Sequence, residues 1–194
     1  MYVELENILT PLHKGLFAKG KIEFNEGVIV HLVGENGIGK SSLLHTFKLN
    51  QDNLFSQFKC QFINQKRIES VNNISVKDFF YQMNCFQTKE LPFFQNHHNE
   101  IVNLNDIPLN SLSGGQNQFV KILLSAYLGG DIFFFDEPLL SLDHRHKNLY
   151  FEFLEELVIL NKRVFIIEHA NFDFKTLPVK QYSMKREQDA LWIS

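Results

Sequence analysis

Apolar and polar positions along the chain fall into blocks of two periods. The N-terminal YVELE alternates and predicts a short strand with one buried face. The stretch KIEFNEGVIVHLVG carries two apolar runs around Asn25-Glu26-Gly27 and predicts a hairpin. Its second run, VIVHLV, is nearly continuous in apolar residues, as in a strand covered on both faces. It leads into a glycine loop, and a helix is expected from about Lys40 to Lys48. CQFIN, DIFFF and RVFII read as further buried strands. Helical spacing returns in SVKDFFYQM, opened by Ser75 as N-cap, and again from Gly114 to Leu128. In LDHRHKNLYFEFLEELVIL, Leu149, Phe153, Leu157 and Leu160 lie near one helix face. PVKQYSMK and ALWIS predict short edge strands at the C-terminal end. Repeated strand–loop–helix order predicts an α/β domain with a largely parallel central sheet. Residues 66–111 are richer in Asn, Gln and His and are expected to form a separate small lobe.

Composition narrows the class. At 194 residues with 44% hydrophobic content, one domain with a sizeable core is expected, and most of the twenty Phe should lie in it. A formal charge of -3 without a long basic run leaves no nucleic-acid partner in view. Cys60 and Cys85 are too few for a disulfide framework and fit a reducing compartment as small buried hydrophobes. The acidic, alternating N-terminus is the wrong chemistry for an export signal. The most apolar region, FVKILLSAYLGGDIFFF, is broken by Lys121, Gly129, Gly130 and Asp131 short of the roughly 20 residues a membrane span needs. Any membrane role is therefore expected to use another chain.

The chemistry begins at GENGIGKSS. Gly34, Gly39, Lys40 and Ser41 satisfy the pattern G-x-x-x-x-G-K-[ST], with Gly37 as a further glycine inside the loop. Glycines let the backbone curl so that several N–H groups face one anion, and the following helix adds its positive end. The expected nucleotide cradle is Gly34, Glu35, Asn36, Gly37, Ile38, Gly39, Lys40, Ser41 and Ser42. Lys40 would reach the outer phosphates, and the Ser41 hydroxyl would ligate Mg²⁺. A strand enters this loop and a helix leaves it, which is the context the pattern requires.

DIFFFDEP supplies the carboxylates. Asp136 ends a very apolar strand, so it should lie at the sheet edge where open α/β sheets bind ligands. It is the expected Mg²⁺ partner, directly or through water. Glu137 follows and would orient or deprotonate the attacking water. His169 follows the strand RVFII and would contact the terminal phosphate or that water. Gln65 also ends a strand, where its amide would touch Mg²⁺ or water.

A second anion site opens a helix at NSLSGGQNQF. Ser113, Gly114, Gly115 and Gln116 offer N–H groups and a hydroxyl without any lysine. If the two loops lie on separate lobes, one chain cannot wrap one nucleotide with both. Two copies packed head to tail would each offer a P-loop to one nucleotide and a serine–glycine helix end to the other, a two-fold arrangement that closes.

In order and spacing these segments resemble the ATP-binding cassette (ABC) ATPases. GENGIGKSS resembles Walker A, Gln65 the Q-loop glutamine, Leu112–Gln116 the LSGGQ signature, and IFFFDEP Walker B with its catalytic glutamate. Ser141–Asp143 resembles the D-loop, and His169 the switch histidine. The resemblance implies a P-loop NTPase core, a RecA-like parallel sheet with N-terminal antiparallel strands, carrying a small inserted helical subdomain. Residues 1–65 and 112–194 would form the ATP-binding core and residues 66–111 the insert. It implies ATP and Mg²⁺ as cofactors, a second ABC subunit in a homodimer, and an integral membrane subunit as partner. It also implies a cytoplasmic location, peripheral on the inner face of the cell membrane. Two departures stand out. No aromatic aligns cleanly near Leu12 and His13, where the family stacks one on adenine, leaving His13 and Phe17 as candidates. Phe119 stands where an Arg is common. The expected function is an ATP-hydrolysing subunit that powers a transporter. The alternative is a soluble ABC ATPase serving as an assembly scaffold or acting on DNA or ribosomes.

Overall fold

A computed structural model describes residues 1–8, 17–64, 66–68, 73–83, 92–97, 99, 102–140, 142–168, 172–187 and 190–194. Its strands are β1 (Tyr2–Glu4), β2 (Phe17–Glu23), β3 (Ile29–Gly34), β4 (Cys60–Ile63), β5 (Ile132–Asp136), β6 (Arg163–Ile167), β7 (Val179–Glu187) and β8 (Ala190–Ile193). They form one eight-stranded sheet in the order β1-β2-β8-β7-β3-β6-β5-β4. β3 pairs in parallel with both β6 and β7, and β5 with β6. β1 is antiparallel to β2, and β7 to β8. The mixed sheet with helices is the α/β fold that the pattern implied.

Three expectations about strands are corrected. Residues 21–34 do not form a hairpin, because β8 and β7 lie between β2 and β3 in the sheet. β3 is buried at every position but its last, so it needs a neighbour on each side, and β6 and β7 provide them. The two C-terminal strands are interior, β7 between β3 and β8 and β8 between β7 and β2, whereas β1 and β4 form the edges. β4 is accordingly half-exposed over most of its length, not buried. Burial nevertheless pushes the Cys60 thiol up to about 11, so it is protonated and inert near neutrality. Cys85 lies outside the described residues.

The chain divides into two compact units. The first comprises Met1–Phe62, Asp131–Glu137 and Leu157–Ser194. Its core is aromatic. Phe24, Phe47, Phe55, Phe134 and Phe165 come from the turn after β2, helix α1 (Lys40–Leu49), the end of helix α2 (Gln51–Leu54), β5 and β6. Phe55 and Phe134 have ring centroids 5.3 Å apart, Phe47 and Phe165 5.7 Å, and Phe24 and Phe165 5.9 Å. Phe62 stacks on Phe134 at 4.5 Å with nearly coplanar rings. Each such pair is worth about 0.5–1.5 kcal/mol beyond the area it buries. The cluster binds the glycine-loop helix to the strands that end beside it, which fixes the spacing of the groups described below.

The second unit comprises Ile63–Gly130 and Pro138–Glu156. Helix α3 (Val76–Gln82) starts at Ser75, whose side chain accepts from the Asp78 N–H at 3.1 Å. The segment just before Leu109, for which the pattern predicts no element, accepts the Val76 and Lys77 N–H groups on its Ile107 and Asn105 carbonyls. Helix α4 (Pro92–Asn96) brings Phe93 within 5.1 Å of Phe153. Helix α5 (Gly114–Leu128) and helix α6 (His144–Ile159) carry most of the remaining apolar surface, with Phe119, Leu123, Phe153 and Leu154 fully buried. Helix α6 ends one residue before Leu160, which is 40% exposed and lies off the buried face. No helix among the described residues is long and apolar enough to cross a membrane.

Candidate active site

In the first unit, β3 ends at Gly34 and α1 begins at Lys40, so residues 35–39 form the loop between them. Gly37 and Gly39 take φ of 75° and 120°, values that a side chain would strain. A Cβ on Gly37 would meet nothing within 4 Å, so its role is conformational and not one of close packing. Glu35 and Asn36 are exposed with Gly34 and Gly37, and Ile38 and Gly39 are half-buried. Gly39 caps α1 without any side-chain bond, which leaves the helix's first N–H groups to the loop. Ser41 and Ser42 lie in the first turn.

Lys40 is 8% exposed, and its ammonium folds back over the loop. It donates to the Gly34 carbonyl at 2.8 Å and the Glu35 carbonyl at 3.0 Å. A buried charge must be paired, and these two carbonyls meet that need until a stronger anionic acceptor arrives. Ser41 Oγ donates to Asp136 Oδ1 at 2.9 Å, which joins the helix start to the end of β5. Asp136 is 6% exposed. Burial holds its carboxyl above the usual range, and the neighbouring Glu137 adds to this, while the Ser41 bond and Lys40 pull the other way. A carboxylate that is costly to ionise when bare gains most from a cation. The pair offers two hard oxygens, a set that suits Mg²⁺ completed by phosphates and water. Among the described residues no cluster of three or more His, Cys, Asp or Glu could hold a metal alone.

Glu137 takes φ of 46°, while its N–H donates to the Ile167 carbonyl at 2.9 Å. A non-glycine residue in this region costs on the order of 1–3 kcal/mol, and such strain gathers at functional positions. Pro138 follows directly and ends strand pairing. The backbone thus turns sharply directly after Asp136.

In the second unit, the serine–glycine segment opens α5 as expected. Ser113 is the N-cap, exposed, and its hydroxyl accepts from the Gln116 N–H at 3.2 Å. The Gln116 side chain returns the bond, accepting from the Ser113 N–H at 2.9 Å. This is a complete capping box, with Gly114 exposed and Gly115 half-exposed beside it. Phe119, where an Arg is common in the family, is fully buried against the His146 ring at 4.8 Å. It packs the helix.

Gln65, Ser141, His169 and His13 lie outside the described residues. Phe17 sits on β2 and is 45% exposed. His31 carries no signal in the sequence pattern beyond its place in an apolar run. It is buried in β3 with Nε2 3.4 Å from the Glu168 carbonyl, and its ring packs edge-on against Phe174 at 4.9 Å. Burial lowers its pKa and keeps it neutral. Arg67, Asn117 and Lys121 of the second unit, described below, were likewise not singled out as site residues by the sequence pattern. The one available signal was Lys121, a charge inside the apolar run of a helix.

A glycine loop between a strand and a helix, joined through Ser41 to a strand-end carboxylate, is the arrangement of a P-loop protein. The chain belongs to the ABC transporter family, whose model it matches over residues 18–140. It is similar to "Probable peptide export ATP-binding protein YydI" of Bacillus subtilis, 29% identical over 191 residues, covering 90% of this chain and 86% of YydI. It is also similar to "Translation initiation factor RLI1" of Saccharomyces cerevisiae, 27% identical over 155 residues, covering 76% of this chain but 25% of RLI1. The fold matches the "Putative ABC transporter (ATP-binding protein)" from Pyrococcus furiosus with a TM-score of 0.68 and 18% identity, over 93% of this chain and 97% of that one. Members of the family hydrolyse ATP, and the chain is an ABC-type ATPase.

Proposed function

We propose that the chain is the ATP-hydrolysing subunit of a transporter whose membrane-spanning part is a separate polypeptide. The Ser41–Asp136 bond at 2.9 Å carries the catalytic half of this reading, since it couples the phosphate loop to the sheet edge where the reacting phosphate would lie. Gly34 to Ser42 bind the phosphates, and Lys40 exchanges its two loop carbonyls for phosphate oxygens. Ser41 and Asp136 hold Mg²⁺, with Gln65 as a further ligand; the ion supplies charge neutralisation along the phosphates. Glu137 holds and deprotonates the attacking water, and His169 supports the terminal phosphate. Ser113, Gly114, Gly115 and Gln116 of a second copy cover the nucleotide from the other side, so that ATP closes a head-to-tail homodimer and hydrolysis reopens it. The core of residues 1–65 and 112–194 would carry the nucleotide. Residues 66–111 would form the insert that meets the membrane subunit at the cytoplasmic face. The transport half is supported by the match to YydI, which runs through most of both chains.

The similarity to RLI1 supports a second reading, a soluble ABC ATPase acting on translation machinery. Purification of tagged Glu137→Gln with ATP, from detergent-solubilised membranes and from the soluble fraction, separates the two. The transporter reading expects a nucleotide-loaded dimer, turnover reduced by about 10²–10⁴, and a multi-span protein in the membrane eluate. Recovery with ribosomal particles alone would overturn it in favour of the second reading.

A further inference from the structure

Within the second unit, three polar side chains hold the main chain on either side of Gln65 onto α5. Lys121 Nζ donates to the Asn64 carbonyl at 2.5 Å and to the Lys66 carbonyl at 3.2 Å. One turn earlier Asn117 is 2% exposed and satisfies both backbone groups of Ile68. It accepts from the Ile68 N–H at 3.0 Å and donates Nδ2 to the Ile68 carbonyl at 3.0 Å. The Arg67 guanidinium returns along the segment and donates to the Leu112 carbonyl, immediately before Ser113. Positions 64, 66, 67 and 68 are therefore tied to the helix that presents the serine–glycine end.

The choice of side chains is informative. Val120, Ile122, Leu123 and Ala126 make α5 apolar around Lys121, and burial pulls the ammonium down to about 8. An apolar side chain here would pack at less cost than a desolvated charge. A donor placed between two carbonyls satisfies main-chain groups that an apolar side chain would leave unpaired, and so fixes the register of the segment. We infer that Lys121 and Asn117 are positioning residues for ATP hydrolysis: they lock the main chain flanking Gln65 to the serine–glycine helix end, so the two loops move as one body. This rests on the roles proposed above for Gln65 and the helix end.

The test uses the purified full chain and measures ATPase kinetics beside equilibrium ATP binding. Lys121→Met is expected to lower kcat about tenfold, within the range that small misplacements produce, and to leave the Kd for ATP unchanged. Lys121→Arg restores most of the rate. In a Gln65→Ala background, Lys121→Met adds no further loss. Asn117→Asp, which keeps the acceptor and loses the donor, carries the same expectation should the Met variant fail to fold. An unchanged kcat, a parallel loss of ATP affinity, or a full tenfold loss on top of Gln65→Ala overturns the inference alone. If Gln65→Ala turns over at the wild-type rate, the role proposed for Gln65 falls and the inference falls with it.

Discussion

The two helix ends proposed to meet phosphate are built on opposite principles. The start of α1 has no side-chain cap; its N-cap is a glycine at positive φ, and its lysine and serine are committed to loop carbonyls and to Asp136. The start of α5 is capped by its own Ser113–Gln116 box. A side-chain cap is worth about 0.5–2 kcal/mol of helix stability. The first end forgoes that gain and stays open to a ligand that brings charge. The second is self-sufficient, and engaging a phosphate means trading an existing cap for a new one. One end is therefore suited to bind alone, and the other to complete a site that something else has already formed.

Variants at each end break this comparison differently. Lys40→Ala should be the most damaging, since each charge-assisted bond to phosphate is worth roughly 1.5–3 kcal/mol. ATP affinity should fall about 10²-fold or more by equilibrium binding, and turnover should vanish. Ser113→Arg should leave the Kd for ATP within about twofold while cutting turnover on the order of 10²-fold. A parallel loss of affinity would show that both ends bind the nucleotide from the outset.

The smallest effect concerns stability at Asp136. Its carboxyl titrates above the ordinary value of 3.8, so the folded chain holds that proton more tightly than the unfolded chain does. The cost of the charge is absent below the ordinary value and grows as pH rises through the raised one. Asp136→Asn should therefore gain thermal stability at pH 7 relative to wild type, and the gain should disappear in acid. At this chain length each kcal/mol corresponds to about 2–4 °C. Hydrolysis should be lost all the same. A variant less stable than wild type at pH 7 would mean that the Ser41 bond outweighs the burial.

The strand–loop–helix order, the P-loop, the Asp136 strand end and the start of α5 at Gly114 were all readable from the sequence. Each is marked by local chemistry: a glycine pattern, a run of Phe closed by an acid, a serine three residues before a glutamine. Strand neighbours were not readable. The turn at Asn25-Glu26-Gly27 resembles a hairpin, yet the burial of β3 brings in β6 and β7, and their pairing is set by tertiary contacts far away in sequence. The apolar text of CQFIN likewise does not say that β4 lies at an edge. The hold of Lys121 and Asn117 on Asn64, Lys66 and Ile68 was hidden because its acceptors and donors are mostly main-chain groups, which every residue carries alike.

Mixing two dead variants tests most directly whether a complete reaction centre needs two copies. Lys40→Ala and Ser113→Arg damage opposite halves, so a mixed dimer contains one site with both lesions and one site with neither. With free exchange in an equal mixture, about one site in four is intact. The account predicts that two inactive preparations regain roughly a quarter of wild-type ATPase activity on mixing. A mixture that stays as inactive as its components, or a Ser113→Arg protein that hydrolyses ATP at full rate by itself, would contradict it.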